Sequence, residues 1–240
     1  MPTCYLKFFI KHRPKKLIFL NLSRLLLPAF FCLVLSGCAP RSAFLNDAVR
    51  SMFAGQVDNS DPQKLNRSLR YLRVVASGGV SLLVLGYTEA HPLGRIEVWY
   101  SSKAEVLRIQ NGHIVGLTGT TVEWRHVSLS ALPPWDGINA TSMRYTRTRD
   151  VMPGYLFGTT DQLNLRHTPA PLNSNISAKP FDLAQNLKWF EAREANNKLP
   201  PARFAVETIN GVSTAVYGEQ CFSQTYCLSW QTWPSLGWVQ

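Results

Sequence analysis

Ala104-Glu105-Val106-Leu107-Arg108-Ile109-Gln110-Asn111-Gly112-His113-Ile114-Val115-Gly116-Leu117 places two apolar, β-branched runs on either side of Asn111-Gly112. Asn-Gly between two such runs signals a hairpin, because both residues accept the positive φ of a type I′ turn. The same period continues outward. Leu72, Val74 and Val75, then 80–85, are apolar runs split by Gly78-Gly79. Over 95–100, Ile96, Val98 and Tyr100 alternate with Glu97 and Trp99; over 120–127, Val122, Trp124 and His126 share a face. With connections this short, residues 70–130 read as a five-stranded antiparallel meander. Over 141–150, Met143, Tyr145 and Arg147 oppose Arg144, Thr146 and Thr148. Two more strands are expected over 154–158 and 162–167, a second hairpin at Asn210-Gly211 between 202–208 and 212–217, and a closing strand over 226–230.

Helical spacing is confined to two places. Phe44, Leu45, Ala48, Val49, Met52 and Phe53 form one face over 42–55, and Leu183, Leu187, Phe190 and Glu194 lie three or four apart over 183–195. Residues 132–137 read as a turn, and the Pro-, Asn- and Ser-rich 168–180 as a loop. The expected fold is mainly β: an antiparallel meander, partly open barrel or sandwich with one or two short helices. Residues 1–37 read as a signal peptide, 38–62 as anchor, tether and short helix, and 63–240 as a single β-rich domain.

The first 24 residues carry Lys7, Lys11, Arg13, Lys15, Lys16 and Arg24 and no acid, and an apolar run follows over 25–35. A basic start, an apolar core and a small-residue cut site make a secretory signal. Leu35-Ser36-Gly37-Cys38 resembles the lipobox of bacterial lipoproteins. The resemblance implies diacylglyceryl on the Cys38 sulfur, cleavage just before it, and acylation of the new amine with palmitate-type chains. Several chains are needed for stable attachment, since each buried CH₂ adds only ~0.8 kcal/mol. By the same resemblance, Ala39 rather than Asp after the cysteine implies the outer membrane. The rival reading is an uncleaved transmembrane helix. Residues 25–37 would span only roughly 20 Å of a core about 30 Å thick. Extending back to Leu17 buries Asn21 and Arg24, and a central Arg costs roughly 2.5 kcal/mol. Both readings put the body outside the cytoplasm.

The formal net charge of +10 does not indicate nucleic acid. Six of the 25 basic residues sit in the signal, which leaves 19 against 15 acids, an ordinary +4. Cys4 and Cys32 leave with the signal and Cys38 takes the lipid. Cys221 and Cys227 remain, in a compartment where disulfides persist. A disulfide is expected; free thiols or metal ligands are the alternatives, and two Cys without a nearby His make a poor zinc site.

Val84-Leu85-Gly86, Glu97-Val98-Trp99-Tyr100-Ser101-Ser102, Glu105-Val106-Leu107-Arg108, Asn111-Gly112-His113-Ile114-Val115 and Leu117-Thr118-Gly119 together resemble the group 4 capsule polysaccharide lipoproteins of the GfcB/YjbF type. Leu228-Ser229-Trp230-Gln231-Thr232-Trp233-Pro234 is similar to a late segment of that family. His113 stands where the family carries Arg, and Cys221 and Cys227 are additions. The resemblance implies an outer-membrane lipoprotein encoded with exopolysaccharide or capsule secretion genes. None of its motifs is catalytic.

Seven tryptophans follow the signal. Trp99, Trp124 and Trp230 fall inside strand patterns and read as core. Trp135, Trp233 and Trp238 read as exposed, with glycan or partner contact as the functional reading. Arg144, Arg147 and Arg149, with Arg166 near, form a basic cluster that suits an acidic polysaccharide, against the plainer reading of a charged strand edge. His91, His113, His126 and His167 have no metal-ligand spacing. Glu97, Glu105, Glu123, Asp136 and Asp150 are the acids from which glycoside hydrolysis would draw its pair. No metal or cofactor is expected, and no enzyme. The leading expectation is a non-enzymatic accessory in exopolysaccharide or capsule assembly or export, anchored by lipid in the outer membrane and facing the periplasm. Its partners would be the membrane, polysaccharide and polysaccharide-export proteins. The alternatives are a periplasmic glycan-active enzyme and a purely structural lipoprotein.

Overall fold

The computed structural model describes residues 65–132, 134–137, 142–176 and 187–234. The signal peptide, Cys38, the 42–55 helix, Leu183 and Trp238 lie outside the described residues. The strands are β1 (Tyr71–Ala76), β2 (Gly79–Glu89), β3 (Ile96–Tyr100), β4 (Val106–Gln110), β5 (His113–Thr118), β6 (Glu123–Leu129), β7 (Met143–Met152), β8 (Leu156–Thr168), β9 (Lys188–Glu194), β10 (Ala202–Ile209), β11 (Val212–Cys221) and β12 (Cys227–Trp233). Each pairs antiparallel with its sequence neighbour, and β12 pairs with β1, so the sheet closes into a ring. The ring is not a regular barrel. Only Leu117↔Trp124 joins β5 to β6, and the register shifts within β2–β3, β4–β5, β6–β7, β7–β8 and β10–β11.

The hairpins obey turn chemistry. Asn111 (φ 46) and Gly112 (φ 84) are both left-handed, as are Asn210 (φ 51) and Gly211 (φ 77). Ser77 (φ 48) and Gly78 (φ 76) form another such turn, so the apolar stretch around them is a hairpin, not a break within one strand. Residues 70–130 therefore hold six strands where five were expected. Residues 156–168 form one strand, β8, where two were expected. β8 pairs directly with β9, so the ring is continuous from one strand to the next.

The helix expected over 183–195 is corrected where it is described: Lys188–Glu194 is a strand. Phe190 and Glu194 point inward with Ala192, while Trp189 packs on the outer face against Ala205 and Tyr217. Burial on both faces hides the period of two, and an inward acid imitates helical spacing. His126 is also displaced from the face of Trp124. Its φ of 48 and the register shift between Arg125 and Ser128 turn it outward, with its side chain 85% exposed.

Side chains fill the interior. Trp99, Trp124, Leu107, Leu165, Phe190 and Phe204 are all buried, and burying a side chain of the Leu or Phe kind is worth about 1.5–3 kcal/mol. Two patches of the outer face are also covered. Leu65 and Leu69 pack on Tyr71, Val84 and Trp233, and Ile176 and Leu187 pack on Trp189, Ala205 and Tyr217. The turns at 77–78, 119–122 and 195–201 and the 222–226 loop lie at one end of the ring. The chain enters β1 at the other end, beside the turns at 111–112 and 210–211.

Candidate functional site

The structure separates the expected arginine cluster. Arg144 lies exposed on the outer side of β7. Arg147 and Arg149 share the parity of Tyr145 and point into the ring, where they are 5% and 6% exposed. An exposed edge is thus corrected to a buried ion network. Arg147 Nε donates to Asp161 Oδ2 at 2.9 Å and its Nη2 to Glu194 Oε1 at 2.7 Å. Arg149 donates to both Asp161 oxygens at 2.7 and 3.1 Å. Both guanidiniums sit over the indole of Trp124, at 4.3 and 4.4 Å from its centroid. Two cations face two anions, so the buried network carries no net charge, the condition that makes such burial tolerable.

Burial pushes the Asp161 carboxyl up, but the Arg149 hydrogen bond and the Arg147 charge outweigh it and hold the group below the usual range. Burial raises Glu194, and the Asp161 charge adds to the rise. Next to this network His113 stacks on Trp135 at 5.3 Å and contacts Phe204 at 4.7 Å. Burial first, then the Arg147 charge, pushes it down to about 3, so the ring is neutral. The space enclosed beside His113, Tyr145, Arg147 and Glu194 is about 10 Å³. That is close to the minimum a single water needs.

Trp135 and Trp233 are corrected from exposed to buried, at 2% and 5%. Trp135 sits on the short 3-10 turn Trp135–Gly137, and its indole folds inward over Phe190 and Phe204 to plug one end of the ring. Its Nε1 donates to Asn111 Oδ1 at 3.1 Å, which ties the plug to the first hairpin. Trp233 lies on the outer face but beneath Leu65 and Leu69. Trp99, Trp124 and Trp230 are core, as the strand patterns required.

Cys221 and Cys227 are joined by a disulfide across the first register pair of β11 and β12. Among the described residues no group of three or more His, Cys, Asp and Glu side chains is placed to hold a metal.

Two larger spaces open near the turn end that carries 77–78. One, about 230 Å³, enters the ring between Lys103, Glu105 and Thr120 and is floored by Leu83, Leu107 and Leu228. The other, about 460 Å³, is a polar groove on the outer face beside the disulfide. Sequence reasoning named neither. Both are built from residues far apart in the chain, brought together by strand register.

No protein-family model matches the chain, and no curated protein matches it. Among solved structures, the fold is similar to the crystal structure of the hypothetical lipoprotein YmcC from Escherichia coli K12. The TM-score is 0.54 at 15% sequence identity, covering 78% of this chain and 94% of that chain. At that identity the likeness shows the fold alone.

Proposed function

We propose that this protein is a lipid-anchored lipoprotein of the outer membrane, facing the periplasm, that assists assembly or export of a surface polysaccharide without catalysing a reaction. The observation that carries the reading is Leu35-Ser36-Gly37-Cys38 behind a basic and then apolar leader. A fold shared with a protein described as a hypothetical lipoprotein supports it. The non-catalytic part draws support from the interior, where the strongest concentration of charge surrounds a space of about 10 Å³, too small to admit a sugar. The polysaccharide role draws support from the resemblance over residues 84–119.

The test has two arms. In the first, the wild-type protein incorporates labelled palmitate and sediments with outer membranes, whereas Cys38→Ala does neither. A Cys38→Ala protein still firmly in the membrane fraction overturns the anchor. In the second, deletion of the gene lowers surface polysaccharide, and expression of the wild-type chain restores it. An unchanged yield overturns the role in export.

A further inference from the structure

The hairpin that joins β7 to β8 carries apolar side chains where no packing requires them. Tyr155 is 74% exposed, Leu156 57% and Phe157 66%. Gly154 (φ 109) and Tyr155 (φ 53) are both left-handed. Such a position favours Gly or Asn over a bulky ring, so turn chemistry does not account for the tyrosine. Leu156 pairs with Val151, which packs against the core, and therefore leaves by the inner side of the sheet. Phe157 is the next strand residue and leaves by the outer side. The end of the hairpin is thus apolar on both faces.

The tip also projects. On one side Met152 pairs with Glu123, so residues 153–155 lie past the start of β6. On the other side β9 pairs with β8 only from Leu163 to Thr168, and Ala195 N donates to Gln162 O. Residues 156–161 therefore run on for about 20 Å beyond the end of β9, with no strand on that side among the described residues. A collar of paired charge stands behind the tip. Arg125 Nε donates to Glu123 Oε2 at 2.8 Å, and His126 Nδ1 lies 2.9 Å from Asp150 Oδ2. Asp150 Oδ1 also accepts from Gly158 N at 2.8 Å, which ties the two strands together just behind the tip.

We propose that the Tyr155–Phe157 tip seats in the headgroup–acyl boundary of a lipid bilayer. The inference rests on the anchor reading above only for bringing a bilayer within reach. The 26 residues between Cys38 and Leu65 extend to at most about 90 Å. β8, the longest strand, measures about 43 Å. The tether is therefore long enough for the end of the ring opposite the chain's entry to meet the membrane. A bilayer surrounds whatever enters it, which suits a tip apolar on both faces; a folded partner would cover one. Amphipathic rings such as tyrosine concentrate at this depth, and the paired charges behind them stay in the headgroups without calling for anionic lipid. Deeper entry is opposed by the unpaired backbone groups of 156–161, which would lose their water. The rival occupant is a partner strand added to that edge. The register shift opposite 149–151 and the left-handed Gly158 (φ 62) bend the edge, a device that guards strand edges against such addition.

The test uses the full-length protein reconstituted on phosphatidylcholine vesicles, with a polarity-sensitive dye on Phe157→Cys; the disulfide keeps Cys221 and Cys227 from reacting. The dye should shift to the blue on vesicles and be quenched by bromines on the upper acyl chain. The same dye on Thr160→Cys, roughly 10 Å back along β8, should report water. Tyr155→Asp/Leu156→Asp, placed in the protein labelled at 157, should cut the quenching several-fold. The fold should be untouched, because both side chains are exposed and Asp accepts a left-handed φ. A dye at 157 that stays in water on vesicles, quenching that the Asp variant leaves unchanged, or burial of the dye by protein in the absence of lipid overturns the tip. If the dye stays in water while Cys38 still takes palmitate, the tip falls and the anchor stands. If Cys38 takes none while the dye enters the bilayer, the anchor falls and the tip stands.

Discussion

His113 shows how one residue can couple the whole interior to pH. Its ring is fully enclosed by Trp135, Phe204 and Tyr145. Because its folded pKa is depressed to about 3 from 6.5, the folded state binds the proton less tightly than the unfolded chain. The stability it contributes is therefore complete above about 6.5 and drains as pH falls towards about 3, at up to roughly 1.4 kcal/mol per pH unit. Asp161, whose pKa is also depressed, adds a loss at lower pH, below its unfolded value of 3.8. Glu194 runs the other way: its raised value gives stability that fades as pH rises through it. Replacing His113 by Phe keeps an aromatic ring on Trp135 and removes the titration. Unfolding by denaturant should show wild-type stability falling by about 2 kcal/mol from neutrality to pH 5, and a nearly flat profile for His113→Phe. An equal slope in both would mean that His113 is not the group responsible. Arg147 and Arg149 belong to the same scale. Their inward parity with Tyr145 was legible in the alternation of 143–149. Their burial was not, because the acids that neutralise them lie 14 and 47 residues from Arg147.

At the scale of elements, the turn residues announced the hairpins, and Asn111-Gly112 and Asn210-Gly211 both form them. Strand identity failed where both faces of a strand are buried, as in β9, and the facing of a side chain failed where a left-handed residue inside a strand changes its parity, as at His126 in β6. Neither event leaves a local trace, since each depends on what the neighbouring strand presents. The β11–β12 pair shows the same dependence in its packing. Gly218 lies opposite Trp230, and a Cβ at 218 would sit 2.6 Å from the indole Nε1 and 2.8 Å from Cε2. Trp230 is itself 3% exposed and hemmed in by the core. Gly218→Ala should therefore cost about 1–3 kcal/mol in denaturant unfolding, the usual price of overpacking. Gly79→Ala is the control: its Cβ would meet only the Ala76 carbonyl oxygen at an ordinary 3.6 Å, so the change should stay within about 0.5 kcal/mol. Equal effects at the two sites would show that the indole can move aside.

For the whole molecule, the organising fact is that the first and last strands are neighbours. Closure between β1 and β12 needs two segments more than 150 residues apart to meet, and that is a relation no short window of sequence contains. The proposed anchor is a local signal, since Leu35-Ser36-Gly37-Cys38 is four consecutive residues. The outer groove is not, because its lining takes residues from four strands. What holds β12 in place for closure is β11, and the two are clipped at the ring's turn end by Cys221–Cys227, six residues apart in sequence. A loop this short removes little chain entropy from the unfolded state, so the bond should contribute about 2 kcal/mol. The clip acts on one side of the closing strand, so its loss should be felt unevenly. In Cys221→Ala/Cys227→Ala, global stability should fall by about that amount. Amide protons of β12 and its partner β1 should exchange earlier than those of β4 and β5, which meet across their own hairpin without help from the bond. A variant as stable as wild type would show that strand pairing alone fixes the closure. A uniform loss of protection would show that the ring opens only as a unit.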